Sequence, residues 1–360
     1  MTEKNNNERN GITLVGLLLV TVGIVMIAAS VFLESMLGKI NRVEPEEILS
    51  AEQIQVILMQ TDPVEPTEKE LCVTEPVAEA TECADAQTEQ NESETETTPP
   101  TEKPTEVSAV PEEPESAVIN ILLVGQDRRI YQSRQRSDAM ILCTVNMQKK
   151  TVTLTSFLRD TYVKLPGNYG MNKLNAAYPI GGFPMLDRCL KENFGVNVDH
   201  NIEVDFSGFK AVIDAMGGID IELTEKEAEI VEGDQVVGMN HLDGGQTLMY
   251  VRIRKIDDDF ERTNRQRKVL TILFDKLRNM NFLELLILSN DLLPMITTDM
   301  TDDQILEYML RFAPILSELE IITQSVPDRS EFEYDMIDGM SVVVPYMNRI
   351  RNKLAETLGY

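Results

Sequence analysis

The 360-residue sequence has no tryptophan, two histidines and four cysteines. Two histidines, His200 and His241, cannot build a multi-histidine metal centre. Four cysteines are too few for a disulfide scaffold, and none of Cys72, Cys83, Cys143 and Cys189 stands in a CxxC pair. Basic residues are in deficit: 33 Lys and Arg face 60 Asp and Glu, a net charge of −27. That balance argues against a nucleic-acid binder, which needs basic surface to displace the counterions of phosphates. There is no internal repeat. What is present, 42% hydrophobic and 26% charged residues, is enough for a sizeable core and excludes disorder along the whole chain.

Three unlike regions make up this average. Residues 12–33 contain no charged side chain and are mostly Leu, Val and Ile. As a helix they would extend roughly 33 Å, enough to cross a bilayer. Signal-peptide cores stop at about 15 apolar residues, so the run is read as an uncleaved transmembrane helix after a short N-terminal tail, 1–11. Residues 34–117 follow as an acidic stalk rich in Glu, Thr and Pro. Between Thr61 and Val118 there are 17 acidic residues against Lys69 and Lys103. Such a stretch buries too little apolar surface to fold, and its like charges extend it. The part containing Ile54, Ile57 and Leu58 has a weak amphipathic signal. Pairing of Cys72 with Cys83, eleven apart, is left open.

The remaining segment, 118–360, has the size of one domain and carries nearly all the arginines. Val118–Gly125 is an apolar run ended by glycine, a buried strand. Ala139–Asn146 and Thr151–Leu158 are strands joined by a polar turn, hence a hairpin. Short strands are expected at Ile202–Asp205, Ile219–Leu223, Ile321–Ser325 and Ser341–Val344. Helices are expected at Met185–Phe194, Phe206–Met216, Gly244–Ile253, Thr263–Met280, Leu283–Leu293 and Asp302–Phe312, with a last one opened by Pro345 and running to about Leu358. Alternating elements around an antiparallel hairpin predict an α/β fold, a mixed central sheet with helices on both faces. Cys143 and Cys189 read as buried apolar fillers, and a disulfide between them is left open.

The chemistry lies in charged residues beside strand ends. Residues 250–267 read YVRIRKIDDDFERTNRQR and hold Arg252, Arg254, Arg262, Arg265 and Arg267. Guanidinium forks match phosphate oxygens and stay charged, so a pyrophosphate is the natural guest. Arg262, Arg265 and Gln266 fall on one helical face near the helix N-terminus, where the dipole also favours anions. Asp257, Asp258 and Asp259 lie between the pairs and can hold them in place. Arg159-Asp160 follows an apolar strand directly, where α/β sheets gather ligand groups, although a local salt bridge explains it equally well. Asp127 follows the first strand and Asp138 precedes the second. Antiparallel pairing brings them together, as Mg²⁺ requires, although spacing alone favours two turn aspartates. Lys173–Tyr178 alone reads as a surface turn entering a helix. Phe183, Phe194, Phe206 and Phe209 read as core.

The order of these signals is more specific than any one of them. Gly125-Gln126-Asp127, Arg136-Ser137-Asp138, Arg159-Asp160-Thr161, Lys173–Tyr178, Asp214–Gly218, Tyr250–Arg254 and Arg262–Gln266 form a series that resembles the LytR-CpsA-Psr family of bacterial cell-wall proteins, over about 118–280. The resemblance implies a phosphotransferase in the bacterial cytoplasmic membrane, single-pass, with the N-terminus inside and the catalytic domain outside. It would take a glycopolymer such as teichoic acid or capsule from an undecaprenyl-pyrophosphate carrier and link it to a peptidoglycan sugar hydroxyl. An apolar tunnel for the lipid tail is implied too. Under this reading Arg159, Arg252, Arg254 and Arg262 clamp the pyrophosphate, with Lys173 and Gln266 as further donors and Arg265 free to be structural. Asp127 and Asp138 hold Mg²⁺ or Mn²⁺, and Asp160 or Asp259 takes the acceptor proton. Two alternatives remain at this point: a hydrolase of polyprenyl pyrophosphates, and a non-catalytic polyprenyl-phosphate-binding regulator of wall assembly.

Overall fold

The computed structural model describes residues 35–43, 51–59, 117–126 and 135–358. The expected membrane helix 12–33, both stalk cysteines and Asp127 lie outside the described residues. Among the described residues no helix is long and apolar enough to cross a membrane.

In chain order the strands are β1 (Asn41–Arg42), β2 (Val118–Gln126), β3 (Ser137–Asn146), β4 (Thr151–Phe157), β5 (Tyr162–Lys164), β6 (Met171–Lys173), β7 (His200–Asp205), β8 (Ile219–Leu223), β9 (Gly238–Leu242), β10 (Thr297–Thr298), β11 (Glu320–Val326), β12 (Phe332–Ile337) and β13 (Met340–Pro345). The helices are α1 (Ala51–Met59), α2 (Ala177–Phe194), α3 (Phe206–Ala215), α4 (Glu225–Ala228), α5 (Gly244–Val251), α6 (Asp259–Arg278), α7 (Phe282–Leu292), α8 (Asp302–Phe312) and α9 (Met347–Leu358).

Seven strands make the central sheet, in the order β1-β10-β7-β2-β3-β4-β11. The β2-β3-β4 centre is antiparallel, while β7 joins β2 and β11 joins β4 in parallel. The expected mixed sheet is therefore present, and side-chain alternation explains its two covered faces. Leu122, Val124, Met140 and Leu142 pack into one core with Leu186, Leu190 and Phe194 of α2 and Ile350 and Leu354 of α9. Their neighbours Ile141, Cys143, Val145, Val152 and Leu154 face the other way, against Leu270 and Phe274 of α6 and Phe312 of α8. Cys143 and Cys189 are free and buried, and burial pushes both thiols up to about 12. The disulfide left open between them is absent.

Several boundaries differ from the sequence reading. The helix expected from Met185 begins at Ala177 and kinks at Gly181 and Gly182, where Gly182 takes φ 60°. The hairpins β5-β6, β8-β9 and β12-β13 contain strands that the hydropathy pattern did not mark. Pro345 closes β13 instead of opening the last helix. Two described pieces of the segment read as stalk are folded: Met36, Leu37 and Ile40 pack with Leu293, Met300 and Ile305, and Ile57 and Leu58 pack against the α2-side core.

A half-buried carboxylate, Asp187, sits where α2, β7 and the turn after β10 meet. The Asn201 side-chain amide donates to Asp187 Oδ2 at 2.9 Å and to Asp299 Oδ2 at 2.8 Å. Burial pushes Asp187 up to about 7, and the Asp299 charge adds to that rise, while the Asn201 bond opposes it. The raised group contributes stability that is complete below the ordinary carboxylate value of about 3.9 and is lost as pH rises through about 7. An Asp187→Asn chain, which mimics the protonated form, should therefore gain in Tm over the wild type as pH rises from 4 to 7, with no further gain above. A Tm difference independent of pH would contradict this account.

Candidate active site

The site is built at the ends of β3 and β4 and on the loop from α5 to α6. The β2-β3 pairing slips between Gly125 and Gln126. Such irregularities re-aim side chains next to functional sites. Here Asp138, second residue of β3, meets Arg159, which stands just beyond β4. Arg159 Nη1 donates to Asp138 Oδ1 at 2.8 Å, and its Nε lies 3.5 Å from Asp160 and 3.6 Å from Asp259. Arg254 Nη2 lies 3.6 Å from the same Asp138 oxygen. Lys173, at the end of β6, pairs with Asp160 at 2.9 Å. Arg262 pairs with Asp259 one helical turn back. Arg252 caps the C-terminus of α5, with its guanidinium 4.5 Å from the ring centre of Phe206.

Among the described residues five cations thus meet three carboxylates, which leaves this part of the cluster net positive within an acidic chain. Arg262 is 3% exposed, and its Nε and Nη1, like Asp259 Oδ2, are buried without a hydrogen-bond partner. Desolvation pulls the Arg262 guanidinium below the ordinary arginine value. It also raises Asp259 above the ordinary carboxylate value, against the pull of Arg262 and Arg159. Buried polar groups are normally satisfied, so these atoms call for a polar guest.

The three consecutive aspartates have separate tasks. Asp257 accepts from Arg265, Asp258 caps α6 through the Glu261 N–H and receives Arg329, and Asp259 faces the cluster. Arg265 points away from the cluster, as its structural reading allowed. It donates to Glu227 at 2.8 Å and to the Ile253 carbonyl at 3.0 Å, and so fastens the loop that carries Arg252 and Arg254. Removing one partner of a buried ion pair costs about 3–5 kcal/mol. Arg265→Ala should accordingly lower Tm by several degrees and loosen the 252–257 loop, as read by amide exchange. Unchanged protection there would contradict the role.

Beside the cations lies an apolar cavity of about 200 Å³ between the sheet and α3, α5 and α6. Phe206, Phe209, Val212, Leu248 and Leu270 line it, and Asp138, Arg252, Arg254, Arg262 and Gln266 form its polar part. Gly244 lets α5 approach α3, since a Cβ there would lie 2.3 Å from the Lys210 carbonyl oxygen. The sequence reading is corrected twice here. Phe206 lines the cavity rather than the core, Phe209 lines it while also packing against the core of α3, α5 and α6, and Phe183 and Phe194 are core. The Lys173–Tyr178 stretch is buried rather than a surface turn. The only signal for Phe206 was its place right after a strand, next to the capping Asp205.

Arg159, Asp160, Lys173, Arg252, Arg254, Asp259, Arg262, Gln266 and Asp138 therefore come together, while Asp127 lies outside the described residues. Among the described residues no group of three or more His, Cys, Asp or Glu side chains could hold a metal ion. Asp138 supplies one carboxylate, and a hydrated Mg²⁺ needs only one or two from protein when phosphate oxygens complete its shell.

A mixed sheet that presents an arginine cluster at the mouth of an apolar cavity defines a site for an anionic group with an apolar tail. The model of the LytR_cpsA_psr family matches residues 80–356, and the chain belongs to that family. The TagU protein of Enterococcus faecalis (strain ATCC 700802 / V583), named a polyisoprenyl-teichoic acid–peptidoglycan teichoic acid transferase, is 34% identical over 183 residues. Those residues are 50% of this chain and 59% of that protein, so the chain matches less than two thirds of its relative's length. The crystal structure of B. subtilis TagT shares the fold, with TM-score 0.56 and 24% identity over 70% of this chain and 96% of that one. A structure of YwtF (TagT) with bound octaprenyl pyrophosphate lipid gives TM-score 0.53 at 22% identity over 69% and 95%.

Proposed function

We propose that this protein is a phosphotransferase that moves a glycopolymer from an undecaprenyl-pyrophosphate carrier to a sugar hydroxyl of peptidoglycan. The observation that carries the reading is the net positive, largely buried arginine cluster opening onto an apolar cavity. A polyprenyl pyrophosphate has that same division between anionic head and apolar tail. The teichoic acid transferase name of the TagU relative and the octaprenyl pyrophosphate lipid bound in the TagT structure support it. Residues 12–33 would anchor the chain in the cytoplasmic membrane, with the short N-terminus inside and the catalytic domain outside.

In this reaction the acceptor hydroxyl oxygen bonds to the phosphorus that carries the glycan. The bond from that phosphorus to the bridging oxygen breaks, and polyprenyl phosphate leaves with the electron pair. Arg159, Arg252, Arg254 and Arg262 neutralise the phosphate oxygens, with Lys173 and Gln266 beside them. Such transfer depends mainly on positioning and charge compensation. The hydroxyl proton goes to Asp259, whose Oδ2 has no partner and whose burial favours taking a proton. Asp160 is held by Lys173 instead. Mg²⁺ or Mn²⁺, held by Asp138 together with Asp127, would add Lewis-acid neutralisation of phosphate charge.

The test uses the full chain in detergent with a synthetic polyprenyl-pyrophosphate glycan and a peptidoglycan oligomer, with and without Mg²⁺. Mass spectrometry should find a phosphodiester-linked glycan. Release of glycan phosphate without linkage would favour a hydrolase. Tight lipid binding without turnover would favour a regulator of wall assembly.

A further inference from the structure

The helix α1 ends on two residues that flank the site. Arg136 Nη2 donates to the Ile57 carbonyl at 2.7 Å, and Asn172 Nδ2 donates to the Leu58 carbonyl at 3.1 Å. Both carbonyls belong to the last helical turn, whose acceptors have no partner inside the helix. Nine residues are too few for a helix to persist alone in water, so docking sustains this one. Ile57 and Leu58 add apolar contact with the core that holds α2.

Each contact leads directly into the cation cluster. Asn172 is 4% exposed, and its Oδ1 accepts from the Lys173 N–H at 2.7 Å. One amide side chain therefore bridges the end of α1 to the backbone of Lys173, whose ammonium pairs with Asp160. On the other side, Arg136 stands two residues before Asp138, which receives Arg159 and Arg254.

We propose that α1 is a positioning element of the pyrophosphate site: by holding Arg136 and Asn172 it fixes Asp138 and Lys173, so that undocking it weakens capture of a prenyl pyrophosphate. Arg136 and Asn172 are positioning residues and touch no reacting atom. The segment before the acidic stretch then serves the chemistry as well as tethering it. This inference rests on the pyrophosphate reading of the site, but it does not need the transfer reaction.

The test is calorimetric titration of the full chain in detergent with geranyl pyrophosphate. One variant replaces residues 51–59 by Gly-Ser sequence of equal length, and the other is Asn172→Leu. Each should bind about tenfold more weakly, the loss expected when a hydrogen bond supporting a charged group is removed. Both should lose a few degrees of Tm for the buried contacts given up but remain folded at the titration temperature, and Asn172→Gln should recover part of the affinity. Unchanged affinity in the replaced chain overturns the proposal. So does weaker binding that accompanies a collapse in Tm of the replaced chain while Asn172→Leu binds normally. A wild-type chain that binds no geranyl pyrophosphate sinks the reading of the site itself, and this inference with it. Binding without transfer would count against the transferase only.

Discussion

Arg159→Ala should lower kcat for glycan transfer by about two to three orders of magnitude, the effect of removing one preorganised donor, about 2.7–4 kcal/mol. Arg159 makes ion-pair contacts with all three carboxylates of the cluster, Asp138, Asp160 and Asp259. Its loss withdraws a donor from the phosphate and leaves those carboxylates with less compensation. Arg159→Lys should recover little, because a compact ammonium cannot span the same partners as a planar fork. Single-turnover rates with saturating lipid, measured beside equilibrium lipid binding, separate chemistry from capture. A variant that binds normally and transfers at the wild-type rate would remove Arg159 from the mechanism.

Asp259→Asn should cost about 10²- to 10⁴-fold in rate if Asp259 is the general base. Burial holds its carboxyl above the ordinary value, so the wild-type rate should climb with pH as Asp259 loses its proton. The same ionisation acts on the fold with the opposite sign, because a raised carboxyl contributes stability when protonated and loses it as pH increases through its raised value. The Asn variant should show neither dependence. Asp160→Asn should keep the rising limb, since Asp160 is tied to Lys173. Were the rising limb to vanish in Asp160→Asn and persist in Asp259→Asn, the two roles would be exchanged.

Much of this was legible in the sequence where the chain is regular. The strands β2, β3 and β4 announce themselves because each is a long apolar run between polar turns, and α8 was bounded correctly from Asp302 to Phe312. That the charged residues belong together was legible from their order along the chain, which resembles the LytR-CpsA-Psr series; taken singly, Asp138 read as a turn residue and Lys173 as part of a surface turn. The three-residue strands β5 and β6 were not, since three residues cannot display a period of two. The two-residue β1 and the nine-residue α1 owe their structure to partners far along the chain, Thr297 for one and Arg136 and Asn172 for the other. Hydrophobicity alone could not show that Phe206 and Phe209 line a cavity. The cavity lies between the sheet and α3, α5 and α6, an arrangement that only the assembled layers reveal.

The place of β11 in the sheet has a consequence for synthesis. β4 is covered on one side by β3, but its other edge is paired only when residues 320–326 have been made. Until then an incomplete chain carries an open strand edge with Val152 and Leu154 beside it, a template for mispairing with another copy. The sheet can close only once residues 320–326 have joined it, a non-local pairing that is slow to form. Truncations that stop short of Val326 should therefore yield insoluble aggregates rather than a smaller folded protein.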